Sequence, residues 1–149
     1  MTKVRTGEIY RLVGTNNRLG IVESIVQIGS IKLIVLYPIS SAIYLASDLD
    51  FIILEEPCFN SQSMMAESWN LIAIPTACLG ENVGRLSDKY LEYFSSFIYF
   101  KYQASKNSSL KILTGPTIKN NTDIRLAFRE QERDEFSILR DQLITTKEV

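Results

Sequence analysis

The 149-residue chain predicts a single α+β domain, in which a meander of short antiparallel strands precedes two helices. Three observations predict it. Residues 21–28 and 31–37 are rich in β-branched side chains and are split by Gly29-Ser30, the composition of two strands joined by a tight turn. Leu91, Phe94 and Ile98 recur at helical spacing behind Ser87 and Asp88, a cap followed by an acid that suits the positive end of a helix. Ile124, Phe128, Phe136, Leu139 and Leu143 form a second helical stripe behind Thr122 or Asp123. Apolar residues make up 46% of the chain and charged residues 22%, enough to bury a core and too apolar for a disordered polymer.

The elements follow in order. Residues 7–12 begin a strand, and Gly14-Thr15-Asn16-Asn17 turns it back. The run Ile31, Leu33, Ile34, Val35, Leu36 is apolar on both faces and predicts a central strand buried twice over, ended by Pro38. Ser40-Ser41 opens a polar turn or short helix up to about Leu45. Residues 51–54 form a strand, 57–66 an irregular crossing, and 69–74 a strand closed by Pro75. Val83-Gly84-Arg85-Leu86 leads into the first helix, which runs to about residue 103, with Tyr102 a further candidate for its stripe. Its aromatic run from Tyr90 to Tyr102 suits core or dimer packing. Residues 104–122 read as a connector with a short β-like piece at 110–113, and 123–149 as an amphipathic extension. There is no internal repeat, no run of about 18 apolar residues to span a membrane, and no signal peptide in the opening residues.

Composition narrows the chemistry. The chain has no histidine, so a histidine triad, a two-histidine nuclease and a His-ligated zinc site are excluded. Two cysteines, Cys58 and Cys78, make neither a four-cysteine zinc site nor a disulfide framework; they read as apolar fillers in a reducing cytoplasm. Net charge is −1 and unevenly spread. Residues 1–32 carry five bases against two acids, whereas 48–67 carry five acids and no base. Lys106, Lys111 and Lys119 stand unopposed in the connector. Such a pattern is either scatter on a solvated surface or a basic strand face meeting phosphate, with acid elsewhere. Arg5 and Lys32 are the phosphate-contact candidates of that basic face. Trp69 reads as a core or interface anchor.

Three motifs, in order, carry a resemblance. Gly7-Glu8-Ile9-Tyr10 opens the first strand, Pro38-Ile39-Ser40-Ser41 ends a buried strand, and Val83-Gly84-Arg85-Leu86-Ser87 leads into a helix. Ser68 falls ahead of the penultimate strand. Over about residues 5–103 this arrangement resembles the MazF/PemK family of bacterial toxin endoribonucleases. The resemblance implies a small SH3-like antiparallel β-barrel of the MazF/CcdB kind with C-terminal helices. It also implies a homodimeric toxin of a type II toxin–antitoxin system, restrained by a cognate antitoxin. The implied activity is metal-independent, cofactor-free cleavage of single-stranded RNA, in which the 2′-hydroxyl attacks to leave a cyclic phosphate and a 5′-hydroxyl.

By that resemblance Arg18 matches the arginine that handles phosphate charge and proton transfer, Ser40 matches the family threonine, and Ser41 joins Arg5 and Lys32 as an RNA contact. Arg18 opens the second strand and Ser40 follows the third, so an antiparallel pairing sets both on one rim. The ordinary roles of such residues are a solvated arginine in a turn and a serine capping one. The chain departs from the family pattern in its short first loop, in Arg18-Leu19 for Arg-Pro, in Ser40 for threonine, and in its last 46 residues. Those departures support the alternative of a non-catalytic barrel that binds a protein, as a gyrase poison or regulatory module. Residues 123–145 either occupy the surface an antitoxin would take or extend the dimer.

Overall fold

The computed structural model describes residues 3–100 and 114–147. Among the described residues, seven strands form one antiparallel sheet: β1 (Glu8–Leu12), β2 (Leu19–Ile28), β3 (Ile31–Ser40), β4 (Asp50–Ile53), β5 (Met64–Glu67), β6 (Ile72–Pro75) and β7 (Leu79–Arg85). Helix α1 (Asp88–Phe100) follows the sheet, and α2 (Ile124–Lys147) comes last. Single-turn 3-10 helices at Ile43–Leu45, Pro57–Phe59, Ser68–Asn70 and Thr76–Cys78 make the corners. The strand order is β4-β5-β3-β2-β1-β7, with β6 also paired to β3. Among the described residues no ladder joins β4 to β7, so the sheet is not closed; the expected α+β class with a small, barrel-like antiparallel sheet is what the chain adopts. No described helix is long and apolar enough to cross a membrane.

Strand β3 organises the sheet. Its residues from Leu33 to Ser40 are all buried, as an apolar run flanked on both edges requires. One edge pairs with β2 from Ile31↔Ile28 to Ile39↔Leu19. The other edge is shared, with β6 alongside Leu33 to Leu36 and β5 alongside Ile39 and Ser40. Pro38 therefore does not end the strand: it pairs with Gly20 and falls where neither β5 nor β6 has a partner for it, so its missing N–H costs the ladder little.

Two further expectations are corrected, and one strand joins those expected. Residues 57–66 are a 3-10 turn followed by the start of β5, not an irregular crossing throughout. The expected strand at 69–74 is a 3-10 turn and then β6. The approach to α1 is itself a strand, β7, which pairs with β1. These runs are short or polar, so alternation in the sequence is weak there. The β-like piece at 110–113, the residues Tyr102, Lys106 and Lys111, the side chain of Leu143 and most of the connector lie outside what the structure describes.

Neighbouring residues on a strand point to opposite faces, and each face has its own core. Ile9, Ile21, Tyr37, Ile39, Phe51 and Ile53 pack with Phe94 and Phe97 of α1. Tyr10, Val22, Ile34, Leu36, Ile72 and Ile74 pack with Phe136 and Leu139 of α2. A register shift between Val22 and Ser24 keeps Val22 and Ile25 on the same face. Ser87 precedes α1, and its carbonyl accepts the N–H of Leu91 at 2.8 Å, the position of an N-cap residue. Gly7, at φ +86°, lets Leu91 of α1 approach the first strand where a Cβ would collide with it. Asp123 caps α2 by accepting the Arg125 N–H at 2.9 Å. On that helix Ile124 lies off the buried stripe and is 74% exposed.

Candidate functional site

Arg18 stands between the first hairpin loop and β2. Its carbonyl accepts the Leu12 N–H at 3.0 Å, and its own N–H donates to Thr15 Oγ1 at 3.2 Å. Leu19 pairs with Ile39, so the loop sets Arg18 beside the C-terminal end of β3. There its Nη2 donates to the Ile39 carbonyl at 2.8 Å. Arg18, Ser40 and Ser41 line one cleft of about 420 Å³, together with Asn16, Asn17, Leu19, Ile39, Met64 and Glu135. Ser40 is nearly buried, at 7% exposure, and its Oγ accepts the Ala42 N–H at 3.1 Å, leaving the hydroxyl proton to donate. Two expected site residues thus meet on one rim, with Ser41 exposed at its edge.

The other two do not join them. Lys32 lies at the opposite end of β3, eight residues or roughly 26 Å from Ser40 at ordinary strand rise. Arg5 is outside the cleft; its backbone N–H donates to Glu8 Oε1 at 2.6 Å, and its Nε is 3.8 Å from the same carboxylate.

The sequence reading missed the carboxylates around Arg18. Nη1 donates to Glu132 Oε2 at 2.9 Å and to Glu135 Oε2 at 2.6 Å, and Nη2 donates to Glu132 Oε1 at 2.6 Å. Phe136 sets its ring centroid 4.8 Å from the Arg18 Cζ. Burial disfavours the Arg18 charge, but the Glu132 hydrogen bond and the carboxylates around it outweigh burial and hold the guanidinium firmly protonated.

Beneath Glu132 lies Glu67, fully buried at the end of β5. Its Oε1 accepts from Asn70 Nδ2 at 3.3 Å, while its Oε2 faces no donor among the described residues. A protonated carboxyl resolves that mismatch, because its O–H can donate to Glu132. Burial first, then the hydrogen bond with and charge of Glu132, push the Glu67 carboxyl up to about 10. Burial also works against ionised Glu132, yet hydrogen bonds from Arg18 and Glu67 bring it below its ordinary value.

The acidic stretch at 48–67 is largely internal architecture. Asp50 is buried and accepts the Ser47 N–H at 2.7 Å and the Trp69 Nε1–H at 2.9 Å. Glu56 is buried and accepts the Ser87 N–H at 2.7 Å. Trp69 is an anchor for α2, with Arg129 and Arg133 placing their guanidinium carbons 5.2 Å and 5.4 Å from its ring centroid. Cys58 and Cys78 are free; burial and then Glu56 raise the Cys58 thiol to about 11, which leaves it inert as a nucleophile. No group of three or more metal-binding side chains occurs among the described residues. No protein-family model matches the chain, and no curated protein matches it.

Proposed function

We propose that the Arg18–Ser40 cleft handles a phosphodiester, and that the chain is a metal-independent, single-strand endoribonuclease on a MazF-like scaffold. The convergence of a guanidinium and an alcohol in one cleft carries this reading. In the reaction the 2′-hydroxyl gives its proton to solvent as its oxygen attacks phosphorus. The bond to the 5′-oxygen breaks through a pentacoordinate dianion, and the departing 5′-oxygen takes a proton from solvent to become the 5′-hydroxyl. Arg18 offers paired N–H donors to two phosphoryl oxygens, and the Ser40 hydroxyl supports one of them. Because its neighbours hold it protonated, Arg18 suits charge stabilisation better than the proton transfer the resemblance implies. In this reading the open sheet stands for the family barrel, a second copy completes an RNA groove, and an antitoxin restrains the toxin.

Single-stranded RNA incubated with the protein in EDTA tests the proposal, with the cleaved ends identified. Cyclic phosphate and 5′-hydroxyl ends are expected, with Arg18→Ala slower by roughly 100- to 1000-fold, the usual effect of losing a transition-state donor. Other ends, or an Arg18→Ala protein as fast as the parent, refute it. The second reading, a barrel that binds protein without catalysis, is favoured by one observation: the terminal donors of Arg18 are already used within the chain. It predicts no cleavage under any condition and a stable complex with a protein partner.

A further inference from the structure

Arg18 has no terminal N–H left to give. Its two Nη atoms carry four hydrogens, and these meet Glu132 Oε1, Glu132 Oε2, Glu135 Oε2 and the Ile39 carbonyl. Phe136 covers one face of the same guanidinium. Three residues of α2 therefore hold the edge and a face of the group that a phosphodiester would need. The paired contacts with Glu132 have the fork geometry that two phosphoryl oxygens would adopt.

We infer that Glu132 and Glu135 are a built-in competitor for the phosphate site, keeping Arg18 loaded with carboxylate until a phosphodiester displaces them. This rests on the phosphodiester reading of the cleft. Two features make displacement local rather than a departure of the helix. Phe136 and Leu139 are 0% and 1% exposed within the core of the α2 face, so α2 stays seated while its carboxylates change partner. Glu135 is a third exposed and lines the cleft, whereas Glu132 lies deeper. A ligand entering the cleft meets Glu135 first. Glu132 gives way second, held from below by the Glu67 carboxyl.

The test uses the full chain and two charge-matched double variants. Glu132→Gln/Glu135→Gln removes the competitor, while Glu130→Gln/Asp134→Asn removes the same charge from exposed positions on α2. The probe is a short 2′-deoxy oligonucleotide, which cannot be cleaved, read by fluorescence anisotropy; RNA cleavage in EDTA is read in parallel. The competitor variant is expected to bind the probe about tenfold tighter, the gain when one charge-assisted contact becomes available, and adding Arg18→Ala should erase that gain. Glu135→Gln alone, the milder change, should give a smaller gain in the same direction. Equal gains in both double variants, or no gain in a folded competitor variant, overturn the inference. Tighter binding through Arg18 without RNA cleavage leaves the competitor standing and refutes the nuclease. A parent protein that already cleaves as fast as the competitor variant keeps the nuclease and overturns the competitor.

Discussion

The two helices cover opposite faces of one sheet by different physics. Helix α1 is held by aromatic packing: Phe94 lies edge-on to Tyr37 with centroids 5.8 Å apart, and Phe51 contacts Phe94 at 5.6 Å and Phe97 at 5.2 Å. Helix α2 buries Phe136 and Leu139 and surrounds them with charge. Glu132 meets Arg18 and Glu67, Arg129 donates to Ser47 Oγ at 2.7 Å, and Arg140 donates to Asn70 Oδ1. Apolar contact is indifferent to ligand and pH, whereas a buried ion pair can exchange partners. The first face is a foundation, and the second is where the chain can respond.

The sharpest break of this contrast is Phe94→Ala. It should cost about 3–5 kcal/mol, as large aromatic truncations in a packed core do, and by the same amount at pH 6 and pH 9 in urea melts. Arg18→Ala comes next, at about 2–4 kcal/mol, because it strands Glu132 without its cation. Adding Glu132→Gln should recover a good part of that loss, and simple additivity would show that the pair is not coupled.

A smaller effect is the pH dependence of the α2 face. The Glu132 value is lowered, so its stabilisation is present above its ordinary 4.5 and is lost as pH falls through the lowered value. The Glu67 value is raised to about 10, so its contribution is complete below 4.5 and declines as pH rises toward 10. Glu67→Gln, a neutral side chain that can still donate to Glu132, should therefore flatten the alkaline limb and raise Tm at pH 9 by a few degrees (~1 kcal/mol). A Tm lower than the parent's at pH 9 would contradict the buried proton. Smallest is Lys32→Ala, far from the cleft, which should change stability by less than about 0.5 kcal/mol and leave oligonucleotide affinity unchanged.

What the sequence disclosed follows the strength of local patterning. The β-branched runs at 21–28 and 31–37 revealed β2 and β3, and the Ser87 cap with Phe94 and Ile98 revealed α1. Arg18 and Ser40 were singled out through the resemblance, and the local register of the β2–β3 hairpin is why both fall on one rim. Strands β5 and β7 were not, since Met64–Glu67 and Leu79–Arg85 carry little alternation and depend on their neighbours for pairing. The carboxylates escaped notice because more than 110 residues separate Arg18 from Glu132 and Glu135. One signal was available: Glu132 sits four residues before Phe136 and seven before Leu139, an acid on the apolar stripe of its helix. Such a residue needs a partner on the surface it faces.

The side-chain guanidinium resonances of Arg18, followed by NMR during titration with the 2′-deoxy oligonucleotide, test the central claim most directly. Competition predicts that these resonances shift on binding, that the Glu132 and Glu135 carboxylate signals move in step, and that Leu139, buried in the core of the α2 face, is unperturbed. Oligonucleotide binding that leaves the Arg18 signals where they stand would contradict the account.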